Sequence, residues 1–426
     1  QCGPSFRGHL GAGISALAPT NPNLGIFVVS EGNEMSESVV ILGGKRSAIG
    51  KFAGSLAGVT PTSLGSIVTK AALETVGVAP DMVDHAVYGN VLHSEARDVY
   101  IARVVAIDAG LPTHAPALTV NRLCGSGLQA IVSAIQLIQL GDAKIAIGGG
   151  VESMSRAGHL LPQLRFGAKM GDATAVDMML ASLHDPFGNG HMGITAENVA
   201  SKFGVSREDQ DAFAETSQDR AAHAIAEGRF VDQIVGIDVG RGKSARHFDT
   251  DEHPRATSRE DLAGLRAAFK EDGSVTAGNA SGINDGAAAV VLASESAAAE
   301  RGLKPMARVL SYGFAAVPPE IMGVGPVPAS KMALDRAGIS ADDLDVIESN
   351  EAFAAQACYV SRELGFDPAK VNPNGGAIAL GHPVGATGAI LTLKLVHELH
   401  RIGGRYGLVT LCIGGGQGIS MVVEAV

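Results

Sequence analysis

Four side chains in this chain could do chemistry together: the thiols of Cys124 and Cys412, the imidazole of His382 and the amide of Asn350. A thiol near an imidazole is the arrangement of nucleophilic catalysis, in which His takes the proton and sulfur attacks a carbonyl. Cys124 lies in Asn121-Arg122-Leu123-Cys124-Gly125-Ser126-Gly127. The apolar run Ala117–Val120 before it predicts a buried strand. The uncharged stretch Leu128–Leu140 after it predicts a buried helix. Cys124 is therefore expected at a helix N-terminus, where free N–H groups and the helix dipole favour a thiolate. The two glycines would let a reacting acyl group approach the backbone. A second cysteine, Cys412, with a tuned pKa could remove or return a carbon-bound proton. Asn350 could orient a water or donate to a developing oxyanion, and the N–H groups of Cys124 and of the Gly414 turn could form a second oxyanion site. Each residue has a plainer reading. Either cysteine could be a small packed side chain, His382 a structural residue in a Gly-Pro loop, and Asn350 a helix N-cap.

The elements that must position these groups alternate. A strand is predicted over Val39–Leu42, a helix over Thr62–Val76 ending at Gly77, a strand over Asp84–Val91 and a helix over Asp98–Ala109. The Cys124 unit follows, then a strand over Lys144–Ile147 closed by Gly148-Gly149-Gly150. This is an α/β pattern with buried sheets. In such sheets ligands bind beyond the carboxyl ends of strands. Cys124, Asn350 (after the strand Leu344–Ile347) and Cys412 (at the last core strand, before Gly414-Gly415-Gly416) each fall at a predicted strand end, and His382 falls in a loop before a helix. The pattern also repeats. Lys70, Gly77 and Asp84 match Lys331, Gly338 and Asp345, all 261 positions apart (331 − 70, 338 − 77, 345 − 84), and the same offset joins Gly127 to Gly388. A duplicated α/β unit is inferred. Residues Ser153 to about Gly282 have no counterpart and are richer in charge and polar turns, with an amphipathic helix expected near Arg207–Glu227. Such an insertion usually carries binding.

A chain of 426 residues suggests two or three domains. The net charge of −11 argues against a nucleic-acid or membrane surface. The four cysteines show no CxxC spacing and fit a reduced compartment. No uncharged apolar run reaches the ~18 residues of a membrane span. Residues 1–34 are rich in Gly, Ser, Ala, Pro and Asn, with Arg7 the only Lys or Arg, and read as a disordered or adventitious leader before Met35. His397-Glu398-Leu399-His400 is one residue too tight for HExxH, and no P-loop motif is present.

Four stretches together resemble the thiolase signatures: the Cys124 heptapeptide, Asn350-Glu351-Ala352-Phe353-Ala354, Gly381-His382-Pro383 and Cys412-Ile413-Gly414-Gly415-Gly416. The resemblance runs from Val39 to Val426 and is strongest to bacterial short-chain biosynthetic enzymes, acetyl-CoA C-acetyltransferases of the type that supplies polyhydroxyalkanoate synthesis. It implies duplicated halves in a five-layered α-β-α-β-α core, one half over 35–153 plus about 283–305 and the other over 306–426. The inserted loop domain, 154–282, would bind CoA. By resemblance Cys124 is acylated, His382 takes its proton, and Cys412 handles the proton of the second acetyl-CoA. Asn350 through a water, with His382, would hold one thioester oxygen, and the N–H groups of Cys124 and Gly414 the other. His191, Met192, Ala280, Ser281, Met322, Ala352 and Phe353 match positions around the pantetheine arm and acyl pocket. Arg255 matches an adenine-side Arg, though its spacing to Ser281 is one residue short. The substrates implied are acetyl-CoA, acetoacetyl-CoA and CoA, with no metal or redox cofactor. A cytoplasmic homotetramer, a dimer of dimers, is also implied. A thiolase for longer 3-ketoacyl-CoA chains is the nearest alternative. A ketoacyl-carrier-protein synthase fits less well, because those enzymes use one cysteine. A non-catalytic acyl-CoA binder fits poorly with Cys124, His382 and Cys412 all intact.

Overall fold

The computed structural model describes residues 37–426; the expected leader, with Cys2, lies outside them. The first half runs β1 (Val39–Ser47), α1 (Pro61–Val76), β2 (His85–Gly89), α2 (Ile101–Asp108), β3 (Ala117–Val120), α3 (Ser126–Gln139) and β4 (Ile145–Ser153). A long insertion holding α4 (Met192–Phe203) and α5 (Arg207–Ala226) precedes its last strand, β5 (Asn284–Ser294). The second half runs β6 (Ala307–Ala316), α6 (Pro326–Ala337), β7 (Val346–Ser349), α7 (Ala354–Glu363), α8 (Thr387–Ile402), β8 (Tyr406–Ile413) and β9 (Gln417–Ala425).

Hydrogen bonding orders the strands β7-β8-β9-β6-β1-β5-β4-β2-β3. Read from the centre outward, the order is the same in both halves. Where the first half has β3 beside β2, the second has a single parallel bridge, Ile347↔Val371. The halves join edge to edge through only two pairs, Val40↔Arg308 and Ile41↔Ala307.

Side-chain alternation along these strands separates the layers. Val39 and Ile41 of β1, Val290 and Leu292 of β5, and Val409, Leu411 and Ile413 of β8 all pack on α3 and α8 in a central core. Val40 and Leu42 of β1, with Ala289 and Val291 of β5, face α1 and α2. Leu408 of β8 and Val422 of β9 face α6 and α7. The result is five layers: α1/α2, one half-sheet, α3/α8, the other half-sheet, α6/α7. Helix α3 is buried over most of its surface, with the stripe Gln129, Ser133, Gln136 and Leu137 half-buried and Leu128, Ile131, Val132, Ile135 and Ile138 in the core. Each such side chain contributes on the order of 2 kcal/mol.

The repeat has structural content at each matched position. Gly77 closes α1 at φ 69°, ψ 26°, and Gly338 closes α6 at φ 69°, ψ 28°. Both are left-handed caps that glycine favours. Asp84 accepts the N–H groups of Lys144 and Ile145, and Asp345 those of Arg405 and Tyr406, so each aspartate pins the start of its half's next strand. At the helix crossing a Cβ on Gly127 would stand 2.8 Å from Ala389 N, and one on Gly388 2.3 Å from Leu128 N. The two central helices touch backbone to backbone there.

Several expectations are corrected. β3 is an edge strand, not a buried one, and Leu118 is 45% exposed. The triple glycine 148–150 does not close β4 but lies within it, because a Cβ on Gly148 would meet Ile131 Cα at 2.6 Å. Cys412 lies inside β8 and a further core strand, β9, follows it. Helix α2 begins at Ile101, after a 3-10 turn over Ala96–Tyr100. Helix α5 does form over Arg207–Ala226, with a Ser206/Asp209 capping box. Its buried stripe is small and polar (Gln210, Asp211, Ala214, Ser217, Gln218, Ala221) rather than apolar. Among the described residues no helix is long and apolar enough to cross a membrane.

Candidate active site

Cys124 sits in the turn between β3 and α3, and that turn is held by its own side chains. Asn121 Oδ1 accepts the Leu123 N–H, Ser126 Oγ accepts the Arg122 N–H, and Ser126 donates to the Leu123 carbonyl. Leu123 is driven to φ 44°, a left-handed conformation costly for a non-glycine residue. Gly125 lets the turn lie against the end of β8; a Cβ there would meet Ile413 Cδ1 at 2.5 Å. This contact brings Cys124 to Gly414, whose N–H faces the sulfur.

The helix cap is Gly125, so Cys124 stands one residue outside it. The expected thiolate does not follow. Burial pushes the Cys124 thiol up to about 11, although the N–H groups of Gly414 and Cys124 pull it down. Near neutral pH the Cys124 side chain is therefore the thiol.

His382 lines the same cavity as Cys124. Burial lowers its imidazole to about 4, so it is neutral near pH 7. Its Nδ1 lies 2.6 Å from Thr387 Oγ1, and that hydroxyl gives its hydrogen to the Pro383 carbonyl at 3.0 Å. Thr387 must then accept from Nδ1–H, which leaves Nε2 with its lone pair free. The Asn350 amide Nδ2 stands 3.4 Å from Nε2, and Asn350 Oδ1 is buried with no hydrogen-bond partner. Asn350 is not a helix N-cap, since α7 is capped at Phe353. It is fixed instead by its backbone: its N–H donates to Thr410 O, and its carbonyl accepts from buried Gln356.

Cys124, His382 and Gly414 line one cavity with Met192, Ser281, Met322, Ala352 and Phe353. Cys412 is fully buried behind this wall, packed with Met192, Ala280, Met322, Ala352 and Phe353. Burial and the proximity of Cys124 push its thiol well above the usual range. Ala280 and Ser281 reach the wall because their loop pairs with the start of α7: Ala280 bridges Phe353 and Ser281 N–H donates to Ala352 O. His191 borders the cavity without lining it. Its Nδ1 accepts the Gly193 N–H at the start of α4 and its ring stacks on Phe269 at 4.6 Å. Arg255 is not brought into the cavity; it is exposed, and its guanidinium donates to the Ala277 carbonyl.

Sequence reasoning missed Val91, Leu123, Leu183 and Val384 in the lining, and Phe269 in the aromatic wall. Three of these had a signal. Leu123 and Val384 stand 261 positions apart, as do Val91 and Ala352 (384 − 123, 352 − 91), so the cavity lies where the repeats face each other. Phe269 was a lone aromatic in a polar stretch, and only the space left by Gly193, where a Cβ would meet the ring at 2.3 Å, explains its place.

Residues 39–296 match the family described as Thiolase, N-terminal domain, and residues 303–425 match Thiolase, C-terminal domain. Beta-ketothiolase BktB of Cupriavidus necator is 58% identical over 92% of this chain and 100% of its own length. Acetyl-CoA acetyltransferase of Allochromatium vinosum is 51% identical over 92% of this chain and 100% of its own. Among solved structures, human mitochondrial 3-ketoacyl-CoA thiolase in complex with CoA superposes with a TM-score of 0.89 at 45% identity, covering 92% of this chain and 98% of that one.

Proposed function

The chain belongs to the thiolase family of acyltransferases, and from that premise we propose that it is an acetyl-CoA C-acetyltransferase, joining two acetyl-CoA into acetoacetyl-CoA and CoA. The observation that carries this reading is the convergence of a thiol, a neutral imidazole and the Gly414 turn on one cavity, with a second thiol directly behind it.

In the first step His382 Nε2 takes the Cys124 proton as sulfur attacks the thioester carbonyl. The CoA thiolate leaves, accepts that proton, and an acetyl-cysteine remains. In the second step Cys412 passes its proton to His382, and the thiolate so formed removes a methyl proton from a second acetyl-CoA. The resulting enolate carbon attacks the acetyl carbonyl, a carbon–carbon bond forms, and Cys124 leaves as thiolate and takes the proton held on His382. Cys412 is buried well above the ordinary thiol range, so its thiolate is a strong base once formed. We assign Asn350, through a water, and His382 to one thioester oxygen, and the N–H groups of Cys124 and Gly414 to the other. The orphan Asn350 Oδ1 supports a bound water at that position.

We further assign the insertion 154–282 to CoA binding. The row His191–Phe269–Phe353, together with Met192, Ala280, Ser281 and Met322, would flank the pantetheine arm, and exposed Arg255 would meet the nucleotide end. The family reading carries with it a cytoplasmic homotetramer, a dimer of dimers, which sedimentation would test. CoA-dependent loss of acetoacetyl-CoA tests the activity directly; no loss above a protein-free blank would overturn it. The same assay across 3-ketoacyl-CoA lengths measures how far the Met192/Met322/Phe353 wall admits longer chains.

A further inference from the structure

Glu152 is fully buried near the end of β4, and four N–H groups converge on it. Oε1 accepts from Leu92 N at 3.0 Å and Asn90 Nδ2 at 3.3 Å; Oε2 accepts from Val91 N at 3.1 Å and Gly385 N at 2.9 Å. All four partners are donors. A protonated carboxyl would have to aim its O–H at one of them, so the geometry is built for the anion. Burial opposes this and pushes the carboxyl up to about 8, with neighbouring Asp285 adding to the rise.

The segments held here matter more than the charge alone. Val91 and Val384 line the cavity; Gly385 follows Val384 and stands three residues after His382. Gly385 comes from the second half, whereas Glu152 and the Asn90–Leu92 segment belong to the first. The fit is close. A Cβ on Gly385 would stand 2.5 Å from Glu152 Oε2, and Cβ atoms on Gly150 and Gly89 would stand 2.1 Å and 2.8 Å from the Gly385 carbonyl. The first half therefore presents a slot of two glycines and one carboxylate that receives the turn carrying the base.

We propose that Glu152 is a positioning residue: it clamps the His382–Thr387 turn onto the first half so that the imidazole faces Cys124. The titratable groups that act on it or feel it are Asp285, which raises its carboxyl, and Cys124, whose thiol Glu152 raises. The kcat readout rests on the thioester chemistry proposed above; the titration readout does not.

Glu152→Gln and Glu152→Asp would be compared with the wild-type enzyme in three measurements. These are thiolysis kinetics, the pH midpoint of iodoacetamide labelling read on the Cys124 peptide by mass spectrometry, and melting temperature. Glu152→Gln turns an amide N–H toward donors; kcat should fall about 10²-fold with KM little changed. Its labelling midpoint should move to lower pH. Glu152→Asp keeps the charge but shortens the reach, so the midpoint should stay while kcat falls. Wild-type kcat in Glu152→Gln, or a lowered melting temperature with an unmoved midpoint, would reduce Glu152 to an ordinary structural residue. If Glu152→Gln does not fold, Glu152→Asp decides: lost kcat at an unmoved midpoint supports the clamp, and wild-type kcat overturns it. If the wild-type enzyme shows no thiolysis, the functional reading fails and the Cys124 midpoint alone judges Glu152.

Discussion

The Cys124 turn and the Gly385 turn are one piece of architecture used twice. Asn121-Arg122-Leu123-Cys124-Gly125-Ser126-Gly127 and His382-Pro383-Val384-Gly385-Ala386-Thr387-Gly388 correspond at the offset of 261, and each leads into a central helix. Ser126 reaches back to the Leu123 carbonyl as Thr387 does to that of Pro383, and Leu123 and Val384 line the same cavity. The differences are local. Where one turn has Asn121 and Cys124, the other has His382 and Gly385. The first exposes sulfur to the cavity and bears a strained Leu123; the second hides its glycine against Glu152. Two equivalent turns facing one cavity differ by only a few side chains, and on the proposed mechanism those few separate a nucleophile from its base.

The largest effect that would break this contrast is on Cys124. Cys124→Ser should lower thiolysis about 10⁴-fold or more, measured by acetoacetyl-CoA loss, because no other thiol occupies its place. Cys412→Ser should leave burst acetylation of Cys124, followed with radiolabelled acetyl-CoA, while suppressing acetoacetyl-CoA formation. Equal loss of acetylation in both variants would refute the division of labour. The Gly385 side should answer in stability instead. Gly385→Ala forces a methyl onto Glu152 and should cost about 1–3 kcal/mol in denaturant unfolding, whereas Cys124→Ala should cost less. The paired hydroxyls sharpen the comparison further. Thr387→Val should release the imidazole tautomer and lower kcat about tenfold, while Ser126→Ala, which frees the Arg122 N–H, should cost about 1 kcal/mol of stability. The smallest effect near neutrality is on pH dependence. His382 is lowered in the folded state, so the unfolded chain binds more protons between pH 6.5 and about 4. Stability should fall as pH falls through that window, and His382→Gln should fall less steeply than wild type.

The sequence made the halves legible because the repeated residues have local jobs. Gly77 and Gly338 close helices, and Asp84 and Asp345 pin strands, so type and spacing survive together. The catalytic candidates were legible as residue types in turns. Their protonation was not. A helix terminus argued for a thiolate at Cys124, but the burial that outweighs it comes from Leu92, Met178, Leu183 and Val384, distant in the chain. Asn350 looked like a cap because amides often are; Gln356, six residues on, fixes its backbone instead. The triple glycine of β4 looked like a stop signal, since its purpose, letting α3 lie close, depends on a contact that no local pattern encodes.

A seam of two residue pairs between β1 and β6 does little to stop the two sheets sliding past each other. Alignment is left to contacts behind the seam, the glycine contact where α3 and α8 cross and the slot that receives Gly385. Gentle heating or dilute urea should therefore silence turnover while circular dichroism still reports intact strands and helices, and activity should return on cooling as the halves dock again.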